Sequence, residues 1–396
     1  MTEIKFSKNT SSKKIDSFYK DFKIHDGKNQ NFKIILPSEF TTYRFGLLSD
    51  LLRLIITINS KHTIDKLIFD LDKEDIEIVY KQDYAYPIIS LLWNDTVFED
   101  KNNDNIKSIL RIKQNDFFKK MNSLERFKGS RYLLSHTDHL SLNNGLIKFL
   151  EDPNGFNDDE ELIKEIVRKI LIENVLIFNK NNLKELNNDI NHIGEIIYEL
   201  SKNTYEWGKT DNLMKPITSS IRGIYFRFHN NSFDKLLQDF VNTPLEVFFK
   251  NDYITENCIQ ELNKVYYLEI LVYDSGIGFI EKFSDKSGLN DIDVIKKCLV
   301  KNQTSSTSNL KSKKGLGLDR ILNILDKKGF LKIMTDKYIL YRDLIKDNYT
   351  NNSNNELSNL KLDYWDEKNL NRSSNEKCEG SFISILFPFK KQNNNG

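Results

Sequence analysis

The run Val265-Tyr-Tyr-Leu-Glu-Ile-Leu-Val-Tyr273 passes without a break into Asp274-Ser-Gly276-Ile-Gly278, and no other stretch of the 396 residues narrows the fold as far. Nine residues dominated by aliphatic, β-branched and aromatic side chains read as a buried strand. A carboxylate at a strand end can accept a hydrogen bond from an exocyclic amine such as that of adenine. The glycines beyond it permit unusual dihedrals and close backbone approach to a ligand. Ordinary turn chemistry uses the same Asp-Ser-Gly, so this segment alone leaves a binding loop and a plain turn both open.

Two further segments carry compatible chemistry. Glu199-Leu-Ser-Lys-Asn203 sits in an apolar-periodic stretch, about Asn182 to Tyr205, that predicts a helix. Residues four apart share one helix face, so the Glu199 carboxylate and the Asn203 amide lie one turn apart. An amide oxygen ligates magnesium without repelling phosphates, and a carboxylate can take a proton from water or a hydroxyl. Surface decoration of a polar helix face would look the same. Lys313-Lys314-Gly315-Leu316-Gly317-Leu318 precedes the amphipathic Asp319–Leu325. Glycines opening a helix expose N–H groups to phosphate, aided by the helix dipole and the two lysines. The segment is no Walker loop, since Gly-Lys-Ser/Thr is absent, and Gly276-Ile-Gly278 lacks the third glycine of a dinucleotide fingerprint.

The rest of the chain reads as an α/β protein in two modules. Residues 1–28 are polar. Over 29–150, Phe32–Leu36 predicts a strand, and Ser38 an N-cap for a helix through Ile58 with Leu47, Leu48, Leu51, Leu52 and Ile55 on one face. Lys66–Asp70 and Asp75–Tyr80 predict strands and Tyr86–Trp93 a short helix. This order outlines an N-terminal α/β regulatory or interaction module whose pattern resembles STAS-type domains. The acidic Glu151–Asp159, with Pro153 and Gly155, predicts a linker. Residues 160–390 then form the second module: helices over Glu160–Phe178 and Asn182–Tyr205, strands at Ile217–Phe228, Val265–Tyr273 and Phe382–Phe387, and a hairpin at Phe330–Arg342. Insertions are expected at 230–263, partly helical, and 345–379, polar and Asn-rich.

Taken in order, Glu-x-x-x-Asn on a helix, Asp-x-Gly-x-Gly after a strand, Gly-x-Gly opening a helix and Gly380-Ser381-Phe before a last strand resemble the N, G1 and G2 boxes of the GHKL, or Bergerat-fold, ATPase superfamily. The resemblance covers residues 160–390, with the G1 segment as its most specific part. It implies an α/β sandwich with a mixed sheet under helices, binding ATP and magnesium. Asn203 would ligate the magnesium, Asp274 would read the adenine amine, and Gly276 and Gly278 would shape its pocket. Gly315, Leu316, Gly317 and Leu318 would carry a lid over the phosphates, with Lys313 or Lys314 in contact, and Glu199 would be the general base. Lys313-Lys314 stands where many members carry Gly-Thr, and Ser381 where a Thr is usual.

The six histidines (His25, His62, His136, His139, His192, His229) lack the setting of a phosphoacceptor, which argues against histidine autophosphorylation. With the last strand expected within about ten residues of residue 396, a member of the topoisomerase kind would need a partner to supply the transducer. The pattern is nearest to free-standing bacterial regulatory ATP-binding proteins of the anti-sigma-factor serine kinase type. The implied activity is ATP hydrolysis or phosphoryl transfer to a protein Ser/Thr, in a cytoplasmic regulatory or defence system. An ATP-gated interaction module with little turnover, and a generic α/β protein with coincidental glycines, are the alternatives.

Lysine plus arginine (58) balances aspartate plus glutamate (57), so bulk charge gives no indication of nucleic acid or anionic membrane. No apolar run reaches bilayer length, and the polar N-terminus does not read as a secretion signal. The three cysteines (Cys258, Cys298, Cys378) lack metal-ligand spacing. His136 and His139 read as polar loop residues rather than a metal pair. The expected partner is a protein, reached through the N-terminal module or 230–263, with homodimerisation open.

Overall fold

The computed structural model describes residues 1–41, 43–211, 213–282, 288–299, 317–349, 360–366 and 376–391. The chain opens with β1 (Thr2–Lys5), α1 (Ser12–Asp21), β2 (Asn31–Pro37), α2 (Leu47–Lys61) and β3 (Thr63–Asp70). A 3-10 segment (Lys73–Lys81), α3 (Ala85–Leu91), β4 (Val97–Glu99) and α4 (Lys107–Ser123) follow. The four strands pair in parallel in sequence order. Parallel neighbours need crossover connections, which the helices supply. Phe32, Ile34, Leu36, Leu67 and Phe69 are buried, while Lys33 and Lys66 carry ion pairs to Glu3 and Glu99.

Two local expectations differ here. Asp75–Tyr80 lies in the 3-10 segment rather than a strand, and its buried Ile76 and Val79 are three apart, the 3-10 repeat. The second helix starts at Leu47, not after Ser38. Its N-cap is Gly46 at φ +83°, and the preceding Phe45 is buried in a separate aromatic cluster of the other module. Tertiary burial of Phe45 places the helix start after it.

The second module begins with β5 (Arg131–Thr137), α5 (Leu142–Gly145), the hairpin β6 (Glu151–Asp152) and β7 (Gly155–Phe156), α6 (Glu160–Ile170), α7 (Lys180–Leu186) and α8 (Ile190–Trp207). Next come β8 (Ile221–Ser232), α9 (Phe233–Asp239), α10 (Pro244–Phe249), α11 (Asp252–Asn257), β9 (Ile259–Gln260) and β10 (Lys264–Asp274). The chain continues through α12 (Phe279–Lys282), α13 (Asp291–Leu299), α14 (Gly317–Ile324), β11 (Phe330–Thr335), β12 (Tyr338–Asp343), β13 (Asp363–Tyr364) and β14 (Ser381–Pro388). The larger sheet runs β13-β12-β11-β14-β10-β8-β5, with β9 beside β10, eight strands in all. Every pairing in it is antiparallel. The α/β class is therefore present with parallel and antiparallel pairing, but the two are segregated between sheets. β5, which the sequence groups with the N-terminal module, forms an edge of the larger sheet.

Strand alternation gives the larger sheet two faces. Ile224, Ile270, Val272, Ile383 and Ile333 face α6, α8 and α14. Tyr225, Glu269, Tyr273, Ser384 and Lys332 face the opposite way, toward the N-terminal helices. α2 is thus enclosed by both sheets, and eleven of its residues are buried. A helix apolar nearly all round needs cover on every side. Its polar positions are answered from within: Thr57 Oγ1 donates to the Arg53 carbonyl at 2.7 Å, and Asp50 pairs with Lys332 at 2.7 Å. One apolar core runs from Ile4 to Phe389 through both modules. A second cluster, Phe45 with Leu236, Phe240, Phe248, Phe249, Tyr267 and Phe330, roots α9–α11. No helix among the described residues is long and apolar enough to cross a membrane.

Candidate functional site

α8 owes its position to Ile190, Ile193, Ile196, Ile197 and Leu200, which bury one stripe against the sheet and α6. At Gly194 a Cβ would meet the Lys164 Cα at 2.9 Å, so the helices cross where no side chain intervenes. The last turn of α8 comes down beside the end of β10. Gly208 makes this approach feasible: a Cβ there would lie 2.7 Å from the Asp274 Cβ. Sequence reasoning did not single out Gly208, whose only signal is its place one residue past an apolar helix.

Between α8, β10 and β14 lies a narrow cleft, about 470 Å³ when the solvent open at its mouth is counted with it. Leu200, Asn203, Thr204 and Trp207 line it from α8, and Val272 and Asp274 from β10. Gly278, Phe279 and Lys282 come from the segment after β10, and Ser381 and Ile383 from β14. Asn203, Asp274, Gly278 and Ser381, far apart in the chain, are brought together. Five of the others lie at positions set by helix and strand period. Leu200, Thr204 and Trp207 follow the helical repeat through Asn203, while Val272 and Ile383 are the strand positions two from Asp274 and Ser381. Lys282 had no sequence signal. Its Nζ donates to Thr210 Oγ1 at 2.7 Å and to the Asp211 carbonyl at 3.0 Å, pinning the loop after α8 to the cleft rim.

Asp274 is paired in register with Ser381 on one side and Arg222 on the other. Its side chain is 7 % exposed. Oδ1 accepts from the Gly276 N–H at 2.8 Å, and the Ser381 N–H also donates to the carboxylate. Burial raises its pKa to about 6, against the opposing pull of these N–H groups, Arg222 and Lys282. Arg222 is itself held by Asp138 and Glu151, with Nη2 at 2.5 and 2.7 Å. Gly276 leaves no room for a Cβ between the Asp274 Oδ1 (2.9 Å) and the Trp207 carbonyl (3.0 Å). Gly278 has φ +91°, and a Cβ there would fall 2.6 Å from Asp336 Oδ2. Both glycines are thus required by close approach, and Gly278 also by its left-handed backbone.

Glu199 is buried on α8 one turn before Asn203 and is not among the residues lining the cleft. Gly317 and Leu318 open α14. Lys313, Lys314, Gly315 and Leu316 lie outside the described residues. His136 is buried within β5, where its Nδ1 lies 3.3 Å from the Ile147 amide; the loop setting expected for it is corrected by the strand. His139 lies in the turn after that strand, where its Nδ1 accepts from the Ser220 N–H at 3.1 Å and its Nε2 donates to the Ser90 carbonyl at 3.0 Å. Cys258 and Cys378 are buried free thiols.

The cleft combines apolar walls, a buried carboxylate at the end of a strand, a hydroxyl opposite it and an amide at the mouth. A buried carboxylate beside a hydroxyl and an amide can hydrogen-bond the polar edge of a small ligand while the apolar walls cover its faces. Beyond Asn203 no cluster of metal-ligating side chains occurs among the described residues. A hard cation here would be held largely by phosphate oxygens and water, as magnesium commonly is. No family model matches the chain, and no match was found among curated proteins or solved structures.

Proposed function

We propose that this cleft binds ATP with magnesium and that the protein is an ATPase or protein Ser/Thr kinase of the GHKL type. The observation that carries the reading is Asp274, a carboxylate held in a largely apolar cleft at the cost of a raised pKa. Such a group is retained where it has a ligand to meet. Asp274 accepts from the adenine amine, Ser381 supports the same ring edge, and Asn203 holds the magnesium. In the catalytic form of this reading Glu199 takes the proton from the attacking water or hydroxyl.

A second reading, an ATP-gated interaction module with little turnover, is favoured by Glu199 lying outside the cleft lining. The helical excursion α9–α11, with exposed Val241, Val247 and Leu262, is then the surface offered to a protein partner. Purified full chain with magnesium-ATP separates the two. Saturable binding lost in Asp274→Asn supports the site, and phosphate release lost in Glu199→Ala with binding retained supports the base. Binding with no release, even with a partner present, moves the conclusion to the gated module; absence of any ATP-induced thermal shift overturns both.

A further inference from the structure

The polar groups of α2 and its N-cap follow a helical repeat, at Gly46, Asp50, Arg53 and Thr57, and all four reach the larger sheet. The Gly46 N–H donates to Glu269 at 2.9 Å, and Asp50 pairs with Lys332. The last two act near the cleft. Arg53 Nη2 donates to the Asp336 carbonyl at 2.9 Å, and that carbonyl also accepts from the Cys378 N–H at 3.1 Å. Thr57 Oγ1 accepts from the Glu379 N–H at 3.2 Å. Asp336 lies in the turn between β11 and β12, and Glu379 lies two residues before β14, whose Ser381 lines the cleft.

From Asp336 the contacts run directly to the glycine segment. Asp336 Oδ2 accepts from the Ile280 N–H at 3.3 Å and from Thr335 Oγ1 at 3.0 Å, and Thr335 Oγ1 accepts from the Phe279 N–H at 2.9 Å. From Glu379 the chain enters Gly380, whose N–H donates to the Gly276 carbonyl at 2.8 Å, and then Ser381. Both walls that meet Asp274 are therefore anchored, through one intervening segment each, on a helix of the other module.

We propose that Arg53 and Thr57 are positioning residues for the cleft: the N-terminal module sets the geometry of the 276–282 segment and of Ser381 through these two side chains. They touch no ligand, and they give the N-terminal module a direct mechanical hold on the site. The effect on nucleotide affinity rests on the ATP reading above, but the effect on the segment does not.

The test is amide hydrogen exchange on the ligand-free full chain, paired with magnesium-ATP binding. Arg53→Met and Thr57→Val remove the two anchors, and Thr57→Val is nearly isosteric, so it carries the test if the first variant does not fold. Asp50→Asn is the control: it weakens an ion pair to Lys332 about one turn before Arg53 on the same stripe, which touches neither Asp336 nor Glu379. The loss of one buried hydrogen bond corresponds to about a tenfold change in a local equilibrium. Exchange over 276–282 and at 380–381 is expected to quicken by about that factor in the two variants and to stay unchanged in Asp50→Asn. Weaker magnesium-ATP binding should accompany it. Unchanged exchange in both variants, or an equal rise in Asp50→Asn, overturns the proposal. Wild-type protein that fails to bind ATP overturns the functional reading alone, with the exchange result still decisive for positioning.

Discussion

Burying the Asp274 carboxylate opposes folding at neutral pH. Its pKa rises on folding from near 3.8 to about 6, so the folded state holds the proton more tightly than the unfolded chain. The stabilising contribution is complete below the unfolded value and is lost as pH rises through 6. Asp274→Asn, which cannot ionise, should therefore gain on the wild type between pH 4 and pH 7, by on the order of 2–3 kcal/mol. Chemical denaturation at the two pH values reads this difference, and a pH-independent gap would show that Asp274 is not desolvated as described. The same variant should lose nucleotide binding, so stability and function move in opposite directions. Wild-type affinity should weaken below pH 6, as the acceptor is protonated. At this scale the sequence was informative about placement: Asn203, Asp274, Gly278 and Ser381, named from their residue types and spacing, line one cleft. Gly208 and Lys282 were not named, because their roles depend on which loop lies opposite them.

Elements were legible where one local force dominates. The alternation in 264–274 and 381–388 marks strands buried on both faces, and the structure places β10 and β14 there, side by side. The predicted helix over 182–205 instead divides at Asn187-Asn-Asp189, three residues of low helix propensity. The division matters because α8 then pivots on its own contact with α6, at Gly194. Gly194→Ala places a methyl 2.9 Å from the Lys164 Cα and must push the two helices apart. The helical propensity of alanine favours the variant by up to about 1 kcal/mol, while overpacking costs about 1–3 kcal/mol. The net expectation is a lower melting temperature and weaker ATP binding, since Asn203 and Trp207 ride on the same helix. A variant that melts higher than wild type with unaltered binding would show that α6 yields freely and that the helix crossing does not set the cleft.

The whole molecule departs furthest from its sequence reading, and α2 explains why. Leu47, Leu48, Leu51, Leu52 and Ile55 mark one packed face, but nothing local reveals that Gly46, Asp50, Arg53 and Thr57 meet a second sheet. A polar stripe looks the same whether it faces water or buried partners. The result is a layer shared by the two modules. Asp83, beside α3, bonds Arg227 at 2.5 Å and the Tyr225 hydroxyl at 2.7 Å, and it pairs with Arg131, all on the larger sheet. Glu269, fully buried on β10, links the Gly46 N–H to His229 Nε2 at 2.7 Å. Burial raises the Glu269 pKa to about 7 and depresses that of His229. For Glu269 the stabilisation is present below its unfolded value near 4.5 and is lost as pH rises through 7. Glu269→Gln keeps a neutral donor toward His229 and an acceptor for Gly46, so its melting temperature should gain on the wild type from pH 5 to pH 8. Because the residue sits between the modules, the gain should move one calorimetric transition as a unit. A wild-type melt that splits in two, with only one half responding to the substitution, would show the sheets unfolding independently and would remove the basis for a shared core.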